Sequence, residues 1–157
     1  MPHDLTTFEF AAYVTGLAKE LVGLHATVPQ GVMLDMTAED MALHIEQAIP
    51  LGLIANELIL NSLKHGLKQG AGQIQVSLQY MAGSSGAVRG EDLDAGWAQL
   101  RVADNGPGLP PGLDLSATRS LGLRLVKLLV RQLGARLEVG AGPGASFTVV
   151  FPLQHQP

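Results

Sequence analysis

The stretch that decides the fold is Asn56-Glu57-Leu58-Ile59-Leu60-Asn61-Ser62-Leu63-Lys64-His65. Its apolar residues are those of a buried helix, and residues 46–67 around it read as the main helix of the chain. Asn61 lies four residues after Glu57, and Lys64 and His65 lie three and four after Asn61, so an α-helix would carry them on one face. A polar stripe on a helix rich in Leu and Ile is either a solvated outer face or a site. An amide with a carboxylate one turn away is an oxygen-ligand set suited to magnesium. Pro50 fits this helix only within its first turn, where a missing N–H costs little.

Working outward, residues 8–25 set Ala11, Val14, Leu17, Ala18, Leu21 and Val22 on one helical stripe. Residues 31–36 and 41–45 read as the two strands of a hairpin. Ile74, Val76, Leu78 and Tyr80 alternate along a strand at 73–80, and Leu100 and Val102 along another at 97–104. Residues 82–96 hold four glycines and scattered charge, a loop composition. Residues 105–119 are irregular. A strongly apolar helix follows at 120–134, stopped by Gly134, and the last strands are 135–140 and 146–152. No 20–50-residue period repeats, which excludes a solenoid. The order of elements predicts an α+β domain, a two-layer sandwich with helices on one face of a mixed sheet of about five strands. It lacks the regular βαβ alternation of a dinucleotide fold.

Composition narrows the function. At 157 residues the chain is expected to form a single domain, 1–157, with tails at 1–9 and 154–157. Apolar residues at 46% can build a core, which excludes a disordered chain. The net charge of −4 argues against wrapping nucleic acid. With no cysteine there is no disulfide scaffold, zinc–thiolate site or thiol nucleophile. No segment approaches the length of a membrane span, and Met1-Pro2-His3-Asp4 is no signal peptide. A cytoplasmic domain without membrane contact is expected.

Two further clusters carry chemistry. In Asp104-Asn105-Gly106-Pro107-Gly108, Asp104 has the strand parity of Leu100 and Val102, so its carboxylate faces the core. It is either a turn acid capping local N–H groups or an acceptor for an exocyclic amine such as adenine N6. In Ser120-Leu121-Gly122-Leu123-Arg124, Ser120 suits a helix N-cap, and the exposed N–H groups of a first turn bind phosphate. Each of these signals alone is ordinary.

Their order and spacing together resemble the catalytic ATP-binding domain of sensor histidine kinases, within the gyrase, chaperone, kinase and mismatch-repair ATPase superfamily (the Bergerat fold). The likeness runs from about Phe10 to Leu153. Asn56-Glu57-x-x-x-Asn61-x-x-Lys64-His65 looks like the asparagine box and Asp104-x-Gly106-x-Gly108 like the first glycine box. Ser120-Leu121-Gly122-Leu123 looks like the second, and Gly142-x-Gly144 before Phe147-Thr148 like the third. Ala48-Ile49-Pro50-Leu51-Gly52-Leu53-Ile54-x-Asn56-Glu57-Leu58 is similar to the HWE-related subgroup. The resemblance implies ATP and magnesium as cofactors. Asn61 would ligate the metal, with Lys64 and His65 along the phosphates. Asp104 would accept the adenine amine, with Gly106 and Gly108 beside the base. Ser120, Leu121, Gly122 and Leu123 would border the phosphates, and Ser146 or Thr148 would back the adenine. Glu57 stands where ATPase branches place the acid that activates water.

The sequence also departs from the pattern. Ser120 and Ala145 stand where relatives have glycine and threonine, and residues 107–119 make a short nucleotide lid of thirteen residues. None of His3, His25, His44 and His155 has the helical, basic context of a phosphoacceptor, and His44 reads as structural. The resemblance therefore implies transfer to a histidine on a separate helical hairpin of the parent kinase, and from there to a response regulator. The rival readings are an anti-sigma-factor type of serine kinase and a non-catalytic nucleotide-gated interaction module.

Overall fold

The alternation Ile74, Val76, Leu78 becomes the buried side of a strand that lies second in a five-stranded sheet. The computed structural model describes residues 7–25, 31–67, 72–81, 96–106, 121–140 and 144–153. The elements are β1 (Thr7–Glu9), α1 (Phe10–His25), β2 (Val32–Ala38), β3 (Ala42–His44) and α2 (Ile45–Asn61), which runs into one π-helical turn at Ser62–Gly66. Then come β4 (Gly72–Tyr80), β5 (Trp97–Asp104), α3 (Leu121–Gln132), β6 (Arg136–Val139) and β7 (Ser146–Pro152). The main sheet has the order β2-β4-β5-β7-β6, with β2 parallel to β4 and every other pairing antiparallel. It is the mixed sheet of the expected α+β sandwich.

Leu100 faces Leu78 and Val149, and Val102 faces Val76 and Phe147, so one sheet face is a continuous apolar layer. Leu51, Ile54, Ala55, Leu58 and Ile59 of α2 complete the core against it, together with Leu123, Val126, Leu129 and Val130 of α3. The intervening positions Gln75, Ser77, Gln99 and Arg101 are polar, as expected of the face without helices. Gln47, buried in the first turn of α2, donates to the Pro152 carbonyl at 2.5 Å and ties that helix to the end of β7. The apolar stripe of α3 ends at Gly134, whose positive φ of 67° closes the helix. Its N–H donates to the Arg131 carbonyl and that of Ala135 to the Val130 carbonyl, a Schellman cap.

Four sequence expectations need correction. Residues 31–36 and 41–45 do not form a hairpin: β2 joins the main sheet beside β4, while β3 pairs with β1 in a separate two-stranded sheet. Both strands still serve one core: Leu34 and Met36 of β2 and Phe8 of β1 pack against the cluster that holds Leu43 of β3, and what differs is the strand each pairs with. Residues 7–9 are accordingly a strand and not part of a tail, with Phe8 opposite Leu43. Pro50 sits at the sixth position of α2, past the first turn, so the helix forgoes one backbone bond to Glu46. Burial of Ala48, Leu51, Ile54 and Ala55 around it carries the helix through. Finally, the α-helical period stops at Asn61, and the Leu67 N–H donates to the Ser62 carbonyl at 2.7 Å, five residues back. Lys64 and His65 are thus placed by a π turn and not by the α spacing that put them on one face with Glu57.

Tyr80, at the end of β4, donates its hydroxyl to the Asp40 carbonyl at 3.3 Å. Burial, and then the charges of Glu39, Glu9 and Asp40, raise its pKa above the ordinary 10.0. A raised folded-state pKa stabilises the fold fully below the unfolded value, and that contribution is lost as pH rises through the folded one. Stability measured by urea unfolding should therefore fall above pH 10, and more steeply than in Tyr80→Phe. Parallel curves for the two proteins would contradict this.

Candidate nucleotide-binding site

The site begins where β5 runs out. Asp104 ends that strand on the core side and is 7% exposed. Its Oδ1 accepts the Gly106 N–H at 2.9 Å and, at a longer 3.5 Å, the Ala145 N–H. Its Oδ2 is buried with no partner. Among the described residues only one other buried side-chain atom is in that state, Gln47 Oε1, which lies toward the opposite end of β7. A buried unpaired carboxylate oxygen costs on the order of 1–3 kcal/mol or more, so it calls for a donor from outside the fold, a ligand or an ordered water.

The backbone around Asp104 is held on both sides. Its own N–H donates to the Ala145 carbonyl at 2.9 Å. Next to it, Asn105 exchanges two bonds with Gln73: the Gln73 N–H donates to Asn105 Oδ1 at 2.8 Å, and the Asn105 N–H to the Gln73 carbonyl at 3.2 Å. Gly144 comes so close that a Cβ there would stand 1.8 Å from the Asp104 carbonyl oxygen. A Cβ at Gly72 would meet Leu67 at 2.5 Å and Asn105 Oδ1 at 2.8 Å. Gly72 is therefore where the end of the α2 segment and the Asp104–Asn105 turn converge.

Asn61 and Glu57 are both half-buried at the C-terminal end of α2, and Lys64 is exposed on the π turn beyond. Among the described residues no group of three or more His, Cys, Asp or Glu side chains could hold a metal. A cation here would have to complete its shell with phosphate oxygens and water beside the Asn61 amide, as magnesium commonly does. At the start of α3, Leu121 is 80% exposed, Gly122 is half-buried and Leu123 packs into the core. Leucine and glycine side chains carry no donor, so an anion at this helix start would be held by backbone N–H groups. Gly108, Gly142 and Ser120 lie outside the described residues.

The register does not bring Thr148 to Asp104. Thr148 is opposite Arg101 and Glu138, on the sheet face turned away from Asp104, and Ser146 is opposite Ala103 on that same far face. Ala145 has the parity of Phe147, is buried, and meets Asp104 through both its N–H and its carbonyl. Sequence reasoning noted Ala145 only as a departure from a pattern. It passed over Asn105, although Asx side chains bonding nearby backbone are common at such turns.

At the end of β5 the fold thus sets a buried acid with one oxygen satisfied by backbone and the other open, with a close backbone crossing at Gly144 beside it. The chain belongs to the histidine kinase-, DNA gyrase B- and HSP90-like ATPase family, which its residues 46–155 match. It is 30% identical over 129 residues to blue-light-activated histidine kinase 2 of Erythrobacter litoralis, covering 80% of this chain and 33% of that protein. It is 27% identical over 105 residues to the sensor histidine kinase PdtaS of Mycobacterium tuberculosis, covering 67% of this chain and 19% of that protein. The solved histidine kinase domain of the Erythrobacter litoralis EL346 blue-light-activated kinase superimposes with a TM-score of 0.77 at 25% identity, over 93% of this chain and 62% of that one. The chain thus spans a third or less of the length of these curated relatives. Within its family it is similar to the catalytic domains of histidine kinases.

Proposed function

We propose that this domain binds ATP with magnesium and passes the γ-phosphoryl group to a histidine on a separate phosphoacceptor hairpin, in two-component signalling that continues to a response regulator. The observation that carries the reading is the buried, unpartnered Oδ2 of Asp104 beside the close approach of Gly144. An N6 amine donating to that oxygen would complete it, and the missing side chain at Gly144 keeps the adjoining backbone crossing tight. The α3 N-terminus offers backbone N–H groups to the phosphates, which lets a chain of net charge −4 hold an anion without a basic surface. Bound magnesium would neutralise charge on the phosphates, with Asn61 among its ligands.

In the transfer, an imidazole nitrogen of the partner forms the new bond to phosphorus as the bond to the leaving ADP oxygen breaks. Such transition states are loose, so the residues here act by positioning and by neutralising charge. Asn61→Ala should weaken ADP binding far more in magnesium than in EDTA, as calorimetry in the two buffers will show. Equal losses would reduce Asn61 to a structural amide. An imidazole needs little help from a base, whereas removing a general base from a hydrolase costs about 10²–10⁴ in rate. Glu57→Gln is therefore expected to leave nucleotide affinity nearly unchanged, and the wild-type domain to hydrolyse ATP slowly at best.

The test is labelling with radioactive ATP in the presence of the hairpin of the parent kinase. Acid-labile, base-stable label on the hairpin is the expected result, while acid-stable label would favour the serine-kinase reading. Brisk hydrolysis without a hairpin, lost in Glu57→Gln, would contradict the kinase reading. No helix among the described residues is long and apolar enough to cross a membrane.

A further inference from the structure

An apolar hollow of about 290 Å³ opens on the outer side of the helical layer, lined by Phe8, Tyr13, Ile45, Ile49, Gly52 and Leu53. Ile45, Ile49 and Leu53 recur every fourth residue along α2, and Ile49 is 58% exposed. These side chains leave the core unaided, since the buried face of α2 is made by Leu51, Ile54, Ala55 and Leu58. Tyr13 anchors the hollow: its ring is tilted at 56° against Phe8 with centres 5.6 Å apart, and a Cβ on Gly52 would stand 3.0 Å from it. A large side chain at position 52 would fill the floor.

Two observations say what covers it. The first is charge. The only ionised groups on α2 are Glu46, beside Ile45, and Glu57, one turn past Leu53, so acids stand at both ends of the apolar row and no base stands on the helix. A second copy of this chain laid on the same face would bring these acids toward their own equivalents, which disfavours self-pairing. An apolar face edged with Lys or Arg would instead find both surfaces complementary. The second observation is position. From Leu53 to Asn61 is eight residues, about 12 Å of helix rise, so an occupant lying along α2 ends beside the proposed phosphate region.

We propose that this hollow docks an amphipathic helix with basic edges, the helix that carries the accepting histidine. The identity of that helix rests on the kinase reading above; the chemistry of the hollow does not. Docking is of the helix-in-groove kind, with apolar anchors at i, i+3 or i+4 and i+7. It would hold the acceptor near the phosphate end without touching the nucleotide.

The experiment is a methyl NMR titration of the ADP-loaded domain with a synthetic helical peptide of Leu anchors flanked by Lys, and with its Glu-flanked counterpart. The Lys-edged peptide should shift the methyls of Ile45, Ile49 and Leu53, and the Glu-edged one should bind at least about tenfold more weakly. Ile49→Glu and Leu53→Glu, both at exposed positions, should each weaken the Lys-edged peptide about tenfold or more while ADP affinity stays as in wild type. Equal binding of the two peptides, or shifts elsewhere, would overturn the proposal. So would self-association of the wild-type domain that Ile49→Glu abolishes, because the occupant would then be a second copy. A groove that binds the Lys-edged peptide in a domain that never labels histidine would leave the docking chemistry standing and remove the kinase reading.

Discussion

Replacing Asp104 by Ala should lower the affinity for ATP about ten- to a hundredfold and erase any preference for ATP over GTP. The magnitude follows from a hydrogen bond to a charged acceptor, about 1.5–3 kcal/mol. Part of the loss would be indirect, because the Gly106 N–H donates to Asp104 Oδ1 and would be left unpaired. Asp104→Asn separates the two effects. Its amide oxygen can keep the Gly106 bond, while its NH₂ group would face the adenine amine donor to donor. Calorimetry should therefore find Asn nearly as damaging as Ala to ATP binding and milder on stability. Unchanged ATP affinity in either variant would refute the pocket assignment.

The second large effect is expected at Gly144. A Cβ there would lie 1.8 Å from the Asp104 carbonyl oxygen, 2.8 Å from its carbon and 3.2 Å from Asn105 Cα. All three are backbone atoms, so no rotamer change relieves the clash and β5 must separate from the start of β7. Overpacking of this kind costs about 1–3 kcal/mol, which for a domain of this size lowers Tm by roughly 3–10 °C. The displaced atoms belong to Asp104 itself, so nucleotide affinity should fall with stability. Gly140→Ala is the control, since its Cβ would crowd the Ser146 Oγ, the end of a side chain that can rotate away, and would meet the Ser146 Cβ and carbonyl oxygen at ordinary contact distances of 3.4 and 3.9 Å. Thermal melts with and without ADP should show Gly144→Ala losing both stability and the ADP-induced shift, and Gly140→Ala keeping most of each. Equal behaviour of the two variants would show that the crossing at Gly144 is not special.

How far these features were legible in the sequence depended on whether they are local. The parity of Asp104 with Leu100 and Val102 placed its carboxylate on the core side, because a strand's period of two is fixed by its backbone. Gly134 marked the end of α3 for the same kind of reason. What sequence could not supply was pairing. Residues 31–36 and 41–45 have the look of a hairpin, yet each strand found a better partner far along the chain, β4 for one and β1 for the other. Thr148 was misplaced because a motif gives order without register, and the register turns it to the far face beside Arg101 and Glu138. The α spacing of Lys64 and His65 failed at the π turn, for which Ser62-Leu63-Lys64 holds no evident signal. The row Ile45, Ile49, Leu53 did not show as a row, because Ile45 was assigned to a strand at 41–45 and an exposed apolar stripe has the same period as a buried one.

The central claim is that the open oxygen of Asp104 receives the adenine amine, and a cycle of ligand and protein changes measures it. ATP and N6,N6-dimethyl-ATP, which lacks the donor, are titrated into the wild-type domain and into Asp104→Ala. The account predicts that removing the donor weakens binding to the wild type about ten- to a hundredfold and leaves binding to the variant nearly unaltered. The same loss in both proteins would mean that the amine and the carboxylate do not meet.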